Sequence, residues 1–245
     1  MHPLPPELLE KVLSLLPRRD IVSVALTSRL HCHLSLKFLY RIILDIQLSG
    51  RNDQDDPPSL KCLDTISSPG NASKAVRHLA ARGHPWLQES TMDILLNALC
   101  QVTNLVSLEL EMGSYPEELI LTESRCSVAT FLPCLQAFSV HHYISAVHLL
   151  KSRPVENARI RSNLTFDTFS ELLPTLRNCS TSLTSLQLSV SVGDVASAVT
   201  IMIHLTRELP FLRTLGIVFN FPIPHWTERL SVSVCIRTVM LTANY

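Results

Sequence analysis

The side chains able to do chemistry lie in a few short clusters. His31-Cys32-His33 has the composition of a metal tract. A tetrahedral zinc site needs four ligands, commonly as two pairs at fixed spacing, and no second pair stands at such a distance. Alternate residues on a helix also point to different sides. The tract therefore reads as a helix end with one buried thiol. His141-His142 and His148 form a second cluster, placed where a strand would end and a helix begin, which reads as an exposed turn. Cys126 and Cys134 are the candidates for a nucleophilic thiol, but no histidine can be assigned to activate either. The six glycines never cluster as a phosphate-cradling loop requires. Neither Gly-x-Ser-x-Gly nor His-Glu-x-x-His occurs. The expectation is a chain with no catalytic residue, no metal and no cofactor. A hydrolase or thiol enzyme using Cys126 or a central histidine is the competing class.

Bulk composition narrows the classes further. Hydrophobic residues make up 46% of the 245 and charged residues 17%, enough apolar material to bury a sizeable core. Lys+Arg and Asp+Glu are both 21. A nucleic-acid binder usually carries a basic excess, because phosphate contacts supply most of its affinity. Neither nucleic acid nor a membrane is an expected partner. The seven cysteines are sparse, odd in number and without a Cys-x-x-Cys pair. No signal-peptide pattern and no run of 18 apolar residues is present. A cytoplasmic or nuclear location with reduced thiols is expected. The glycosylation triplets at Asn71, Asn163 and Asn178 then read as accidental.

Three short helices are predicted near the N-terminus. Pro5 and Pro6 suit a helix start, with Glu7 and Glu10 near its positive end. Leu8, Leu9, Val12, Leu13, Leu15 and Leu16 make a broad apolar stripe, and Pro17 stops it. Asp20 is the expected N-cap of a second helix, with Arg18 and Arg19 at the end of the first. Ile21, Val22, Val24, Ala25 and Leu26 are its apolar positions. Leu34, Leu36, Phe38, Leu39 and Tyr40 mark a third. The first helix is apolar on more sides than about 40 residues can cover.

The order of these residues resembles the F-box. Leu4-Pro5, Glu7-Leu8-Leu9, Val12-Leu13-Ser14-Leu15-Leu16 and Asp20-Ile21-Val22 follow its pattern. Leu26-Thr27-Ser28-Arg29 and Leu39-Tyr40-Arg41 look like the variant common in fungal members. Ser28 stands where many members have cysteine, and no Trp precedes Trp86.

Beyond the helices an apolar-x-x-apolar-x-apolar pattern recurs. It occurs at Val76/Leu79/Ala81, Leu105/Leu108/Leu110, Leu135/Phe138/Val140, Val155/Ala158/Ile160, Leu183/Leu186/Leu188, Leu212/Leu215/Ile217 and Ile236/Val239/Leu241. Helical patterns fall between, over 91–101, 144–151, 168–177 and 195–208. Successive starts lie roughly 20 to 30 residues apart, the length of one strand-plus-helix unit. The pattern resembles a degenerate leucine-rich repeat. That family often places Asn or Cys three residues after the core, bonding neighbouring backbone. Asn163, Asn220 and Asn244 fit; Gly113, Tyr143 and Ser191 do not. The polar stretch 50–73 could be a linker, but the apolar residues Leu60, Cys62, Leu63 and Ile66 favour a strand over 42–48 and a helix over 60–66. The pattern stops near Tyr245 without a capping segment, as though the solenoid ended short or the chain were a fragment.

The fold class expected is therefore α/β: a three-helix F-box over 1–45, then an irregular leucine-rich-repeat-like α/β solenoid over 46–245. The resemblance implies a substrate-recognition adaptor of a Skp–cullin–F-box ubiquitin ligase. Leu4, Pro5, Leu8, Leu9, Val12, Leu13, Leu16 and Ile21 would form or support the surface for a Skp-type adaptor, and through it a cullin. The outward strand positions Ser107, Glu109, Glu111, Ser139, His141, Asn157, Arg159, Arg161, Gln187, Ser189 and Thr214 would face a protein substrate. The alternative is a non-ligase repeat scaffold whose F-box-like helices serve only as an N-terminal cap.

Overall fold

The computed structural model describes residues 5–48, 58–83, 89–112, 131–142, 144–221, 229–235 and 238–240. Leu4, Gly113, Cys126, Tyr143, Ile236, Leu241 and Asn244 lie outside them. Three helices come first: α1 (Pro6–Leu15), α2 (Arg18–Ala25) and α3 (Arg29–Leu39). Proline sits in the first turn of α1, where its missing N–H costs nothing, and Pro17 separates α1 from α2. Asp20 is not the cap of α2. That helix starts at Arg18 after Pro17, so Asp20 falls in its first turn, where a carboxylate still favours the dipole. Arg18 and Arg19 thus open α2 rather than close α1. Ser28 caps α3, its Oγ accepting from the His31 N–H at 3.1 Å.

α3 leads almost directly into β1 (Ile42–Leu48), followed by α4 (Pro58–Ser67) and α5 (Asn71–Ala75). The stretch after residue 57 is thus structured, not a linker. The strands that follow are β2 (His78–Gly83), β3 (Ser107–Met112), β4 (Ala137–His141), β5 (Asn157–Leu164), β6 (Ser185–Ser191) and β7 (Thr214–Asn220). With β1 they form one parallel sheet in sequence order. α6 (Glu89–Gln101), a 3-10 helix (Ile144–Leu150), α7 (Phe166–Asn178) and α8 (Val195–Glu208) lie between strands.

Interval length decides the type of connecting helix. The intervals from Val76 to Leu105, Val155 to Leu183 and Leu183 to Leu212 each hold an α-helix. The shorter one from Leu135 to Val155 holds only the 3-10 helix. Left-handed residues flank it, His142 (φ 60°) and Ser152 (φ 61°), as a tighter path demands.

Every apolar triad from Val76/Leu79/Ala81 to Leu212/Leu215/Ile217 is buried. The triads pack under Leu63, Leu95, Leu99, Phe169, Leu172, Ile201 and Leu205 from the helices. Strand partners stay in phase, so Leu108, Phe138, Ala158, Leu186 and Leu215 stack across the sheet. A backbone ladder precedes the strands. Arg77 N–H bonds Arg41 O at 2.9 Å, Val106 N–H bonds Arg77 O at 2.8 Å, and Gln136 N–H bonds Val106 O at 2.9 Å. It continues from Glu156 to Gln136, Thr184 to Glu156 and Arg213 to Thr184. The same local geometry is used at each step.

The parallel pattern ends at β7. β8 (Arg229–Cys235) and β9 (Thr238–Met240) extend the sheet as antiparallel strands. The Ile236/Val239/Leu241 triad therefore does not start another parallel strand. A parallel crossover needs about a dozen or more residues, and the connection from Asn220 to Arg229 is too short for one.

The stacked triads carry the stability. Leu110→Ala should lower unfolding free energy by about 2–5 kcal/mol, read from urea midpoints, because the cavity sits in a closed core. Thr214→Ala on the open face should change it by less than about 0.5 kcal/mol.

Candidate interaction surfaces

Two faces carry the side chains that the sequence singled out. The first is on the helices. Leu13 is 0% exposed and Ile21 is buried, so both hold the helices together from inside. Leu9 and Leu16 are half-buried; Pro5 is exposed. Leu8, Val12 and Leu15 recur at i, i+4 and i+7 on α1 and face outward, Leu15 at 80%. Leu15, Val22, Leu26 and Leu30, which are not among the residues expected at this surface, are exposed as well, Leu26 at 83%. A lysine–glutamate pair, Lys37 with Glu10, ties α3 to α1. Asn71 Nδ2 donates to His33 Nε2 at 2.9 Å, tying α3 to α5.

That contact accounts for one member of the His31-Cys32-His33 tract. His31 Nδ1 pairs with Thr27 Oγ1 at 2.6 Å. Cys32 is exposed, not the buried thiol the sequence suggested, because it lies on the outer side of α3. Among the described residues no three His, Cys, Asp or Glu side chains converge as a metal site. Among the described residues the buried thiol is instead Cys179, at the end of α7. Burial pushes its pKa up to about 11, against the opposing pull of the Arg153 guanidinium. Its Sγ–H donates to Leu150 O at 2.9 Å. Cys134 is half-buried.

The second face is the side of the sheet opposite the helices. Alternation puts Ser107, Glu109, Glu111, Ser139, His141, Asn157, Arg159, Arg161, Gln187, Ser189 and Thr214 on it together. Register aligns Glu109, Ser139, Arg159 and Gln187 in one row across four strands. Gly216 continues that row on β7. A second row runs along the carboxyl ends of the strands. There Arg82 bonds Asp45 at 3.3 Å and Glu111 at 3.1 Å, and Arg161 donates to His141 Nε2 at 2.9 Å. One backbone irregularity makes the Asp45 contact possible. β1 bulges between Ile43 and Ile46, with Asp45 left-handed at φ 65°, which turns both Leu44 and Asp45 outward. β5 keeps a regular alternation here, which puts Arg161 on the open face next to His141 of β4.

Asn163 and Asn220 do not bond neighbouring backbone, as the sequence suggested. Both lie on strands with their side chains on the open face. Asn163 Oδ1 accepts from Ser191 Oγ at 2.8 Å and Asn220 Nδ2 at 2.9 Å, and Asn220 Nδ2 also donates to Ser189 Oγ at 3.1 Å. They form a polar brace across β5, β6 and β7.

His141 accepts from Arg161 only when its Nε2 carries no proton. Burial lowers its pKa, and the Arg161 charge lowers it further; His142 adds to this while Glu111 and Glu109 oppose it. The unfolded chain therefore binds a proton on this residue at a higher pH than the folded chain. The stabilisation is full above the ordinary histidine pKa of about 6.5 and is lost as pH falls through the lowered value. Urea titrations from pH 7.5 to 5 should show wild type losing more stability than His141→Gln. Equal slopes would contradict the assignment. Arg161→Gln should raise the His141 titration midpoint, followed by proton NMR.

Among the described residues no helix is long and apolar enough to cross a membrane. No curated protein matches the sequence. A family model described as F-box-like matches residues 1–44, the span of α1 to α3 and the entry into β1. The chain thus carries an F-box-like domain at its N-terminus, in the helices whose outer leucines are left bare.

Proposed function

We propose that this protein is a non-catalytic substrate-recognition adaptor of a Skp–cullin–F-box ubiquitin ligase. The observation that carries the reading is the F-box-like match over a helical unit whose apolar face is open. F-box domains bind Skp-type adaptors. Pro5, Leu8, Val12 and Leu15 supply the apolar contact, with Leu9 and Leu16 at its margin. Leu13 and Ile21 act as support beneath it, since neither reaches the surface. A cullin joins through the Skp-type adaptor. The strands and helices after α3 form a leucine-rich-repeat-like solenoid, supported by the buried triads and the repeated backbone ladder. Its open sheet face holds a protein substrate. The mechanism is proximity: substrate is concentrated beside a charged ubiquitin-conjugating enzyme, with no bond broken by this chain. A cytoplasmic or nuclear location goes with that role.

One observation favours a second reading. α3 packs on α5 and runs into β1, so the helices also cover the start of the sheet. A scaffold in which they serve only as that cover would need no Skp-type adaptor.

Co-purification of the full chain with a Skp-type adaptor separates the two. Wild type should bind. Leu8→Asp with Val12→Asp should weaken binding by at least about 100-fold, since two apolar contacts are each replaced by a desolvated charge. Both positions are exposed, so the melting temperature and circular dichroism should hold. Leu13→Asp is unsuitable, because a buried carboxylate there would unfold the helices. No association of the wild type would leave the scaffold reading standing.

A further inference from the structure

The open sheet face is uneven in how its charges are used. Along the carboxyl-end row they are spent on neighbours: Asp45, Arg82 and Glu111 pair in sequence, and Arg161 is bonded to His141. One row down they are not. Glu109 and Arg159 flank Ser139, one strand away on either side. Adjacent strands are about 4.8 Å apart, so the backbones of the two residues stand roughly 10 Å apart, and their side chains are not paired with each other. No hydrogen bond or ion pair from either side chain occurs among the described residues. The Ser139 Oγ between them is buried and has no partner. These groups line a cleft of about 270 Å³. A second cleft of about 260 Å³ adjoins it, shares Glu109, and is lined by Ile42, Leu44 and Ala80. Leu44 is 65% exposed there because the β1 bulge turns it out.

The face thus presents three chemistries in order across the strands: an apolar end at β1, an acid at β3, and a guanidinium at β5. We propose that it binds an extended protein segment carrying, in that order, an apolar, a basic and an acidic side chain. This rests on the reading of the sheet face as the substrate surface and adds the chemistry of what it selects. Two strands of travel cover roughly 10 Å. A segment in polyproline-II geometry has three residues per turn and advances about 3.1 Å per residue, so side chains about three residues apart share one face at that spacing. The basic one pairs with Glu109, the acidic one with Arg159, and a peptide group or small hydroxyl between them meets Ser139. The Asp45–Arg82–Glu111 row, whose side chains already bond one another, borders the site and leaves a net negative charge beside Glu109, on the side of the basic residue.

The test is selection of random phage-displayed peptides on the full chain, with a photo-crosslinking side chain at the exposed Asn157 to report where they bind. Selected peptides should crosslink and be enriched in the apolar–basic–acidic order. Binding of the best of them should fall about tenfold or more in Glu109→Gln and in Arg159→Gln. The double reversal, Glu109→Lys with Arg159→Glu, should select apolar–acidic–basic peptides instead. Peptides that crosslink but show no charge order, or bind both single variants as tightly as wild type, would overturn the proposal while leaving the sheet face as a docking surface. Failure to select any peptide that crosslinks would overturn both.

Discussion

The in-phase stacking of apolar strand positions is the constraint on which the rest of the molecule depends. Leu108, Phe138, Ala158, Leu186 and Leu215 occupy one row because adjacent parallel strands share register. Side chains alternate along a strand, so a slip of one residue would turn the core outward and the polar face inward. Burying the triads under the helices fixes the register, and the register places Glu109, Ser139 and Arg159 side by side. The composition of the open face is thus a consequence of how the closed face is packed.

A departure from regularity gives the open face part of its character. A strictly alternating β1 would bury Asp45 or expose Ile46. The bulge avoids both, and in doing so delivers Asp45 to Arg82 and Leu44 to solvent. In β5 ordinary alternation puts Arg161 on the open face, and it turns Ser162 inward with its hydroxyl unpartnered. A buried hydroxyl without a partner costs on the order of 1–3 kcal/mol, which the surrounding apolar packing must offset.

The helical unit and the sheet are joined by contacts that serve both. α3 gives Lys37 to α1 and His33 to α5, and its end is followed at once by β1. The helices therefore cover the first strand's neighbourhood while keeping Leu8, Val12 and Leu15 outward. Arg18 lies near enough to Cys62 on α4 to oppose the rise that burial causes in that thiol's pKa. The amphipathic pattern of α1 has two apolar sides for this reason: one, through Leu13, is consumed internally, and the other is not.

Much of this was legible from residue order. The F-box-like pattern, the positions of α4, α6, α7 and α8, the strand β1 and the buried triads all follow from local spacing, which depends only on the chain's own periodicity. The seventh triad misled because its pattern is local while the strand direction is not: too few residues separate Asn220 from Arg229 for a crossover. Residue order also could not separate Leu13 from Leu8 or Leu15, since all belong to one broad stripe and only packing against α3 says which side is used. Nor could it show that Glu109 and Arg159 share a row without pairing, or that Asp45 meets Arg82. Those facts join residues tens of positions apart, and they depend on inter-strand register and on bulges that tertiary packing sets.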